Sequence, residues 1–125
     1  MIGYVTLGTN DLDRSIAFYD PLFETMGEKQ LFRTDRGVLW GKDFTEPSFM
    51  ITTPFDGQAA SAGNGGMVAF QVNSKEKVTE FYNKALSLGA TCEGEPGARS
   101  PQFFAAYFRD LDGNKLNFFF SDYSS

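Results

Sequence analysis

The amino-acid sequence predicts an α+β protein built from two similar modules, each with the element order β-α-β-β-β. The first observation behind this prediction is an internal repeat, in which residues 4–19 (YVTLGTNDLDRSIAFY) match residues 67–82 (MVAFQVNSKEKVTEFY). The second is that each copy passes from alternating apolar residues through a polar segment into an amphipathic stretch. That order is typical of a strand followed by a helix. Such a repeat indicates two copies of one supersecondary unit.

Composition limits the classes of partner. The chain has 125 residues, of which 42% are hydrophobic, and this suffices for one domain with a substantial core. The net charge is −5 and no basic cluster is present, so we expect neither nucleic acid nor an anionic membrane surface as a partner. No signal-peptide pattern opens the chain, and no stretch approaches the roughly 18 apolar residues of a membrane helix. We therefore expect a cytoplasmic protein.

Cysteine and histidine usage limits the chemistry. The single cysteine, Cys92, excludes an intrachain disulfide and fits a reducing compartment. Histidine is absent from the chain. The commonest metal ligand and the usual proton carrier near neutral pH are therefore both missing.

The first module is predicted to span about residues 1–53. Asn10 is the expected N-cap of its first helix, with an apolar stripe at Leu12, Ile16 and Tyr19. Because Pro21 does not continue a helix smoothly, we predict a separate short helix with Asp20 as its cap and Pro21 at its first position, which ends near Thr25. The strands are predicted at Ile2–Thr9, Lys29–Thr34, Val38–Lys42 and Ser48–Thr53.

The second module is predicted at about residues 67–125, after a glycine-rich linker at 54–66. Ser74 is the expected N-cap of a helix that extends to about Leu88. A mobile loop is predicted at 95–101, and Asp112-Gly113-Asn114 is a strong signal for a tight hairpin. The strands are predicted at Met67–Asn73, Thr91–Gly94, Gln102–Arg109 and Lys115–Ser121.

The two ends of the chain resemble a known superfamily. The opening VTLGTNDLDRSIAFYDPLFETMG and the closing FFAAYFRDLDGNKLNFFF are similar to the vicinal oxygen chelate superfamily, which includes glyoxalase I, extradiol dioxygenases and bleomycin-resistance proteins. In the closing hairpin, Leu111 replaces the proline usual in that family. The resemblance implies two modules in a pseudo-twofold arrangement. They would form a cupped, incomplete barrel with the helices outside and the ligand in the concavity, often in a homodimer.

In the enzymes of that superfamily, a divalent metal is held by the first and last strands of each module. The resemblance places these positions at Tyr4 and Met67 on the first strands, and at Met50 and Asn117 on the last strands. A phenol, thioethers and a neutral amide are poor ligands for Zn²⁺, Fe²⁺ or Mn²⁺. We therefore expect no metal and no other cofactor.

Strand alternation predicts which side chains face the concavity. Val5 and Leu7 should pack under the helices, whereas Trp40 and Tyr107 could face either side. Arg99 either clamps a ligand carboxylate or lies in solvent. Any of the aromatic or Met positions could instead belong to the core. The predicted ligand-binding residues are Tyr4, Thr6, Trp40, Met50, Met67, Gln71, Tyr107, Asn117 and Phe119.

Three functions remain open from the sequence. The first is a metal-independent protein that binds a small, flat, partly apolar or aromatic ligand. The second is a glyoxalase- or dioxygenase-type enzyme (a lyase, isomerase or oxygenase) with a divalent metal at a non-standard site. The third is an assembly role, in which the faces serve a homodimer and the linker permits module exchange.

Overall fold

The computed structural model describes residues 1–123, which form two four-stranded mixed sheets, each with one helix. The chain divides into a unit of Met1–Ala62 and a second unit that begins at Gly63. This division lies within the predicted linker at 54–66. The α+β fold and the two βαβββ modules are confirmed.

The first unit contains a parallel pair of strands completed by an antiparallel meander. Its sheet has the strand order β1-β4-β3-β2, in which β1 and β4 are parallel and the other pairs are antiparallel. The elements are β1 (Tyr4–Gly8), α1 (Leu12–Thr25), β2 (Lys29–Arg33), β3 (Gly37–Gly41) and β4 (Ser48–Thr52).

The second unit repeats this topology. Its sheet has the order β5-β8-β7-β6, and again the first and last strands are the parallel pair. Neither helix in residues 1–123 is long and apolar enough to cross a membrane. The elements are β5 (Val68–Gln71), α2 (Lys75–Ser87), β6 (Thr91–Ser100), β7 (Phe103–Arg109) and β8 (Lys115–Ser121).

The prediction of Asn10 as the cap of α1 is wrong, because Asp11 is the N-cap. The Asp11 carboxylate accepts a hydrogen bond from the backbone N–H of Arg14 at 3.1 Å. The Asn10 amide instead pairs with the backbone of Ala60, donating at 3.0 Å and accepting at 2.7 Å. Asn10 therefore fastens the segment after β4 to the start of the helix.

The predicted break at Pro21 is also wrong, because α1 is one helix of 14 residues that contains the proline. A proline inside a helix costs about 3 kcal/mol. Phe18, Tyr19, Leu22 and Phe23 lie on both sides of it and are all buried. Since burial of each such side chain contributes about 1.5–3 kcal/mol, packing outweighs the local penalty.

Residues 95–100 of the predicted loop at 95–101 belong instead to β6, which is a single strand of ten residues. Its pairing with β7 is irregular, with register shifts between Cys92 and Gly94, Gly94 and Gly97, and Ala98 and Ser100. β6 is an edge strand, where a proline such as Pro96 is tolerated because the N–H that it lacks can face away from the neighbouring strand. The irregularities explain why the sequence shows no strand pattern.

Each helix packs on one face of its own sheet. In the first unit, Tyr19 of α1 contacts Trp40 and Phe49, with ring centroids 5.6 and 5.2 Å apart. In the second, Phe81 of α2 contacts Phe118 at 5.7 Å. The opposite face of each sheet is not covered by the helix of its own unit, and we call it the helix-free face.

Candidate ligand-binding faces

The helix-free face of the first sheet carries residues that alternate with the core. Thr6 of β1 aligns with Met50 of β4, and Met50 aligns with Leu39 of β3. Tyr4 lies on the same side of β1 and is 63% exposed, whereas its neighbour Val5 is half-buried. Phe32 of β2 completes the row opposite Leu39 and is also exposed. Tyr4, Thr6 and Met50 therefore share one face, as strand alternation predicts.

The helix-free face of the second sheet has a comparable row. Asn117 of β8 lies between Ala69 of β5 and Tyr107 of β7. In the next row, Phe119 lies between Gln71 and Ala105. Met67, which precedes β5, is 46% exposed.

The two parallel strand pairs place Met50 and Asn117 at corresponding positions. Met50 is opposite Thr6 in the first pair, and Asn117 is opposite Ala69 in the second. Thr6 and Ala69 are themselves matched in the sequence repeat. The register therefore supports the assignment of Met50 as the counterpart of Asn117.

Trp40 lies on the helix side of its sheet, away from the other predicted binding residues. It is 1% exposed, and its ring lies 5.5 Å from that of Phe23. The indole N–H donates to Asp20 Oδ1 at 2.7 Å, and Asp20 also accepts hydrogen bonds from the Gln30 side chain at 2.9 and 3.0 Å. Asp20 thus fixes the indole from α1, and Trp40 is not part of the ligand surface proposed below.

Several residues of the helix-free faces were missed from the sequence. Leu39 and Phe32 extend the first face, while Phe103 stacks on Phe119 at 5.2 Å in the second. Lys115 precedes Asn117 by two positions and thus shares its face. Period-2 alternation, applied from Met50 and Asn117 to neighbouring strands, would have identified all four.

Asn117 combines deep burial with an unsatisfied acceptor. The residue is 2% exposed, and within residues 1–123 its Oδ1 atom has no hydrogen-bond partner. A buried polar atom in this condition costs about 1–3 kcal/mol. Most buried polar atoms in proteins are paired, so an orphaned acceptor on a candidate binding face calls for an explanation.

Two cations lie against the ring of Tyr107. The Arg99 guanidinium carbon is 5.3 Å from the ring centroid, and Lys115 Nζ is 5.6 Å from it. Arg99 also donates to the backbone carbonyls of Gly97 and Glu95 at 2.8 and 2.7 Å. In the described part of the chain, neither cation forms an ion pair with a carboxylate.

The groups with clearly shifted pKa values lie outside these two faces. Burial raises the pKa of Tyr82 to about 12, and a hydrogen bond with Cys92 acts in the same direction. Burial likewise raises the pKa of Glu28, although nearby Lys42 opposes the shift. Neither residue is among those that form the helix-free faces.

Fold and site together define a duplicated βαβββ protein with two amphipathic, partly aromatic sheet faces. The chain belongs to the Glyoxalase/Bleomycin resistance protein/Dioxygenase superfamily, whose sequence profile matches residues 1–118. No curated protein gives a significant match.

Solved structures agree with the family assignment. A glyoxalase/bleomycin resistance protein from Albidiferax ferrireducens T118 is 35% identical, with a TM-score of 0.89 over 98% of this chain and 99% of that chain. A putative glyoxalase from Bacillus halodurans is 25% identical, with a TM-score of 0.76 over 96% of this chain and 95% of that chain. Lactoylglutathione lyase from Agrobacterium tumefaciens shares the fold at 21% identity, with a TM-score of 0.69 over 96% and 92% of the two chains.

The residues at the family's metal positions do not fit a divalent metal. The positions that the resemblance assigns hold Tyr4, Met50, Met67 and Asn117, and none of these supplies an imidazole, carboxylate or thiolate. Within residues 1–123, no three His, Cys, Asp or Glu side chains cluster in a way that could hold a metal ion.

Proposed function

We propose that this protein binds a small, partly apolar or aromatic molecule without a metal, using the helix-free faces of its sheets. The observation that carries the proposal is the donor set at the family's metal positions, which consists of Tyr4, Met50, Met67 and Asn117. A divalent cation binds only where its ligands offset the cost of removing its water shell. Without such ligands, a protein of this family keeps the surface of its sheets but has no metal to act as a Lewis acid.

The chemistry of the two faces supports a flat ligand with few polar groups. Tyr4, Met50 and Phe119 offer aromatic and thioether surface, which favours contact with unsaturated rings. Thr6 and Gln71 add neutral hydrogen-bonding groups at the ends of these rows. A largely apolar surface with a few polar groups is typical of small-molecule sites.

None of the predicted binding residues on these faces carries an imidazole or a carboxylate that could act as a general base. Proton abstraction needs a group that can accept a proton and is positioned on the substrate. Tyr4, Gln71 and Asn117 can donate or accept hydrogen bonds, but the two amides cannot act as bases.

The composition also supports a cytoplasmic location, since the single cysteine, Cys92, is an exposed free thiol.

The proposal is tested by screening a fragment library by NMR on isotopically labelled protein, with and without EDTA. We expect binding that persists in EDTA and shifts amide signals of β1 and β4 for a ligand on the first face, or of β5 and β8 for a ligand on the second. As a matched pair, Met50→Lys should abolish such binding to the first face, whereas Glu76→Lys on the exposed side of α2 should not. Binding or turnover that disappears in EDTA and returns with Zn²⁺, Mn²⁺ or Ni²⁺ would contradict the proposal.

A further inference from the structure

We propose that the helix-free face of the second sheet recognises a small aromatic carboxylate that also carries a hydrogen-bond donor. The proposed subsite, which we call the Tyr107 subsite, consists of Arg99, Tyr107, Lys115, Asn117 and Phe119. The inference rests on the proposed function, because it names the ligand class that one of the binding faces takes.

The unpaired oxygen of Asn117 is the reason to expect a hydrogen-bond donor on the ligand. Asn117 is 2% exposed, and its Oδ1 atom has no partner in the described residues. A ligand O–H or N–H that reaches this atom would satisfy a buried acceptor without having to displace an existing protein hydrogen bond. A ligand with only acceptors at this position would leave the oxygen unpaired.

The two cations beside Tyr107 determine the charge on the ligand. Arg99 and Lys115 both lie within 6 Å of the same ring, at 5.3 and 5.6 Å, and no carboxylate forms an ion pair with either in residues 1–123. Two cations held against one ring make this part of the face locally positive, which favours an anionic ligand. The Arg99 guanidinium also matches the planar geometry of a carboxylate.

The protein's net charge of −5 does not override this local arrangement. At an ionic strength of about 0.1 M, exposed charges are screened beyond about 10 Å, so the nearest side chains dominate at the subsite. A cationic ligand would meet Arg99 and Lys115 at short range and is therefore disfavoured.

Aromatic side chains flank the polar groups. Tyr107 is directly opposite Asn117 in the β7–β8 ladder, and Phe119 follows on the same face of β8. Phe119 is itself stacked on Phe103, which fixes its ring. A flat ligand ring can pack on this surface while its substituents reach Asn117 and the cations.

Because Asn117 is 2% exposed, a ligand reaches it only if side chains on this face move. Lys115 lies two residues away on the same face and is only half-buried. Its long side chain has many rotamers, and an incoming carboxylate would draw its ammonium group to a new position.

The test uses four kinds of probe with the full chain. They are the three positional isomers of hydroxybenzoate, benzoate without the hydroxyl, hydroxybenzyl alcohol without the carboxylate, and the cation tyramine. Affinities are measured by NMR titration. We expect at least one hydroxybenzoate isomer to bind about five- to tenfold more tightly than benzoate, which corresponds to one net hydrogen bond. The alcohol and tyramine should bind more weakly still.

Variants separate the two interactions. Asn117→Leu should remove the preference for hydroxybenzoate over benzoate, so that the two bind with equal affinity. The double variant Arg99→Gln with Lys115→Gln should weaken both carboxylates about tenfold and leave hydroxybenzyl alcohol unaffected. The matched control is Arg33→Gln with Lys84→Gln, which changes the same charges outside the subsite and should preserve all affinities.

Each outcome has a distinct meaning. Preference for the alcohol or for tyramine would overturn the carboxylate assignment but leave the proposed small-molecule function intact. Equal competition by inorganic phosphate would show a general anion site and would also overturn it. If no probe binds, the inference fails. The proposed function would fail only if no compound of the fragment library bound, or if binding required a metal.

Discussion

At the scale of single residues, Asn117 is the position on which the account depends most. It replaces a metal-binding side chain of related enzymes with a neutral amide, according to the resemblance. Within residues 1–123, the buried Oδ1 atom of this amide has no hydrogen-bond partner. A buried acceptor without a protein partner on a candidate binding face is consistent with a role in recognition.

Replacement of Asn117 by leucine should therefore stabilise the protein. Asn117→Leu keeps the branching and the number of side-chain heavy atoms and removes the unsatisfied oxygen, so we expect the free energy of unfolding to rise by about 1 kcal/mol or more. Urea denaturation followed by circular dichroism measures the change. Asn83→Leu, at an exposed position of α2, serves as the control and should have little effect. A loss of stability in Asn117→Leu would mean that the amide makes a net favourable contribution.

Asp20 is a second residue with a specific structural task. It accepts hydrogen bonds from the Trp40 indole and the Gln30 amide. Asp20→Ala would leave the buried indole N–H unpaired, so we expect a loss of about 2–3 kcal/mol in stability. Fluorescence of Trp40, the single tryptophan, reports both the unfolding and the local change. Asp35→Ala, in the exposed β2–β3 turn, should change stability by less than about 0.5 kcal/mol, and equal losses in both variants would contradict the assignment.

At the scale of elements, the two helices begin in the same way although their sequences differ. Asp11 caps α1 by accepting from Arg14 N–H, and Ser74 caps α2 by accepting from Lys77 N–H, both at 3.1 Å. Both helices then pack a cluster of aromatic and aliphatic residues onto their sheets. The duplication thus preserves the capping interaction as well as the order of elements.

Loss of either cap should therefore have a similar effect. We expect Asp11→Ala and Ser74→Ala each to reduce stability by about 1 kcal/mol, because each leaves a helical N–H without its partner. Asp11→Asn keeps the accepting oxygen and should be nearly neutral. Thermal unfolding of the variants provides the comparison. An Asp11→Asn variant as unstable as Asp11→Ala would show that the charge, rather than the hydrogen bond, supplies the stabilisation.

At the scale of the whole molecule, the sequence predicts the topology because the repeat and the strand alternation are both long-range regularities. Tyr4, Thr6 and Met50 share a face, as alternation requires. The identity of a helix cap and the contacts of a single side chain depend on tertiary structure and are harder to predict. Asn10 satisfies every rule for an N-cap, yet it pairs with Ala60, 50 residues away. Trp40 lies on the helix side of β3, where Asp20 of α1 accepts a hydrogen bond from its indole N–H. The lining residues remain predictions until a ligand is identified.

We propose that the chain forms a homodimer, which would cover some of its exposed apolar surface. Ile2, Phe44 and Phe55 are 57%, 72% and 91% exposed, and a contact between two copies would remove such apolar side chains from water. Size-exclusion chromatography with light scattering should give twice the monomer mass at micromolar concentrations. A monomer mass across that range would contradict this proposal without affecting the binding function.

The central claim, metal-independent binding, is tested most directly by the metal content of the natively purified protein. The protein should carry no histidine tag, because such a tag binds metal itself. Elemental mass spectrometry, referred to protein concentration, should give Zn, Fe, Mn and Ni each far below one equivalent per chain. Near-stoichiometric content of any of them would contradict the account and favour an enzyme with a non-standard metal site.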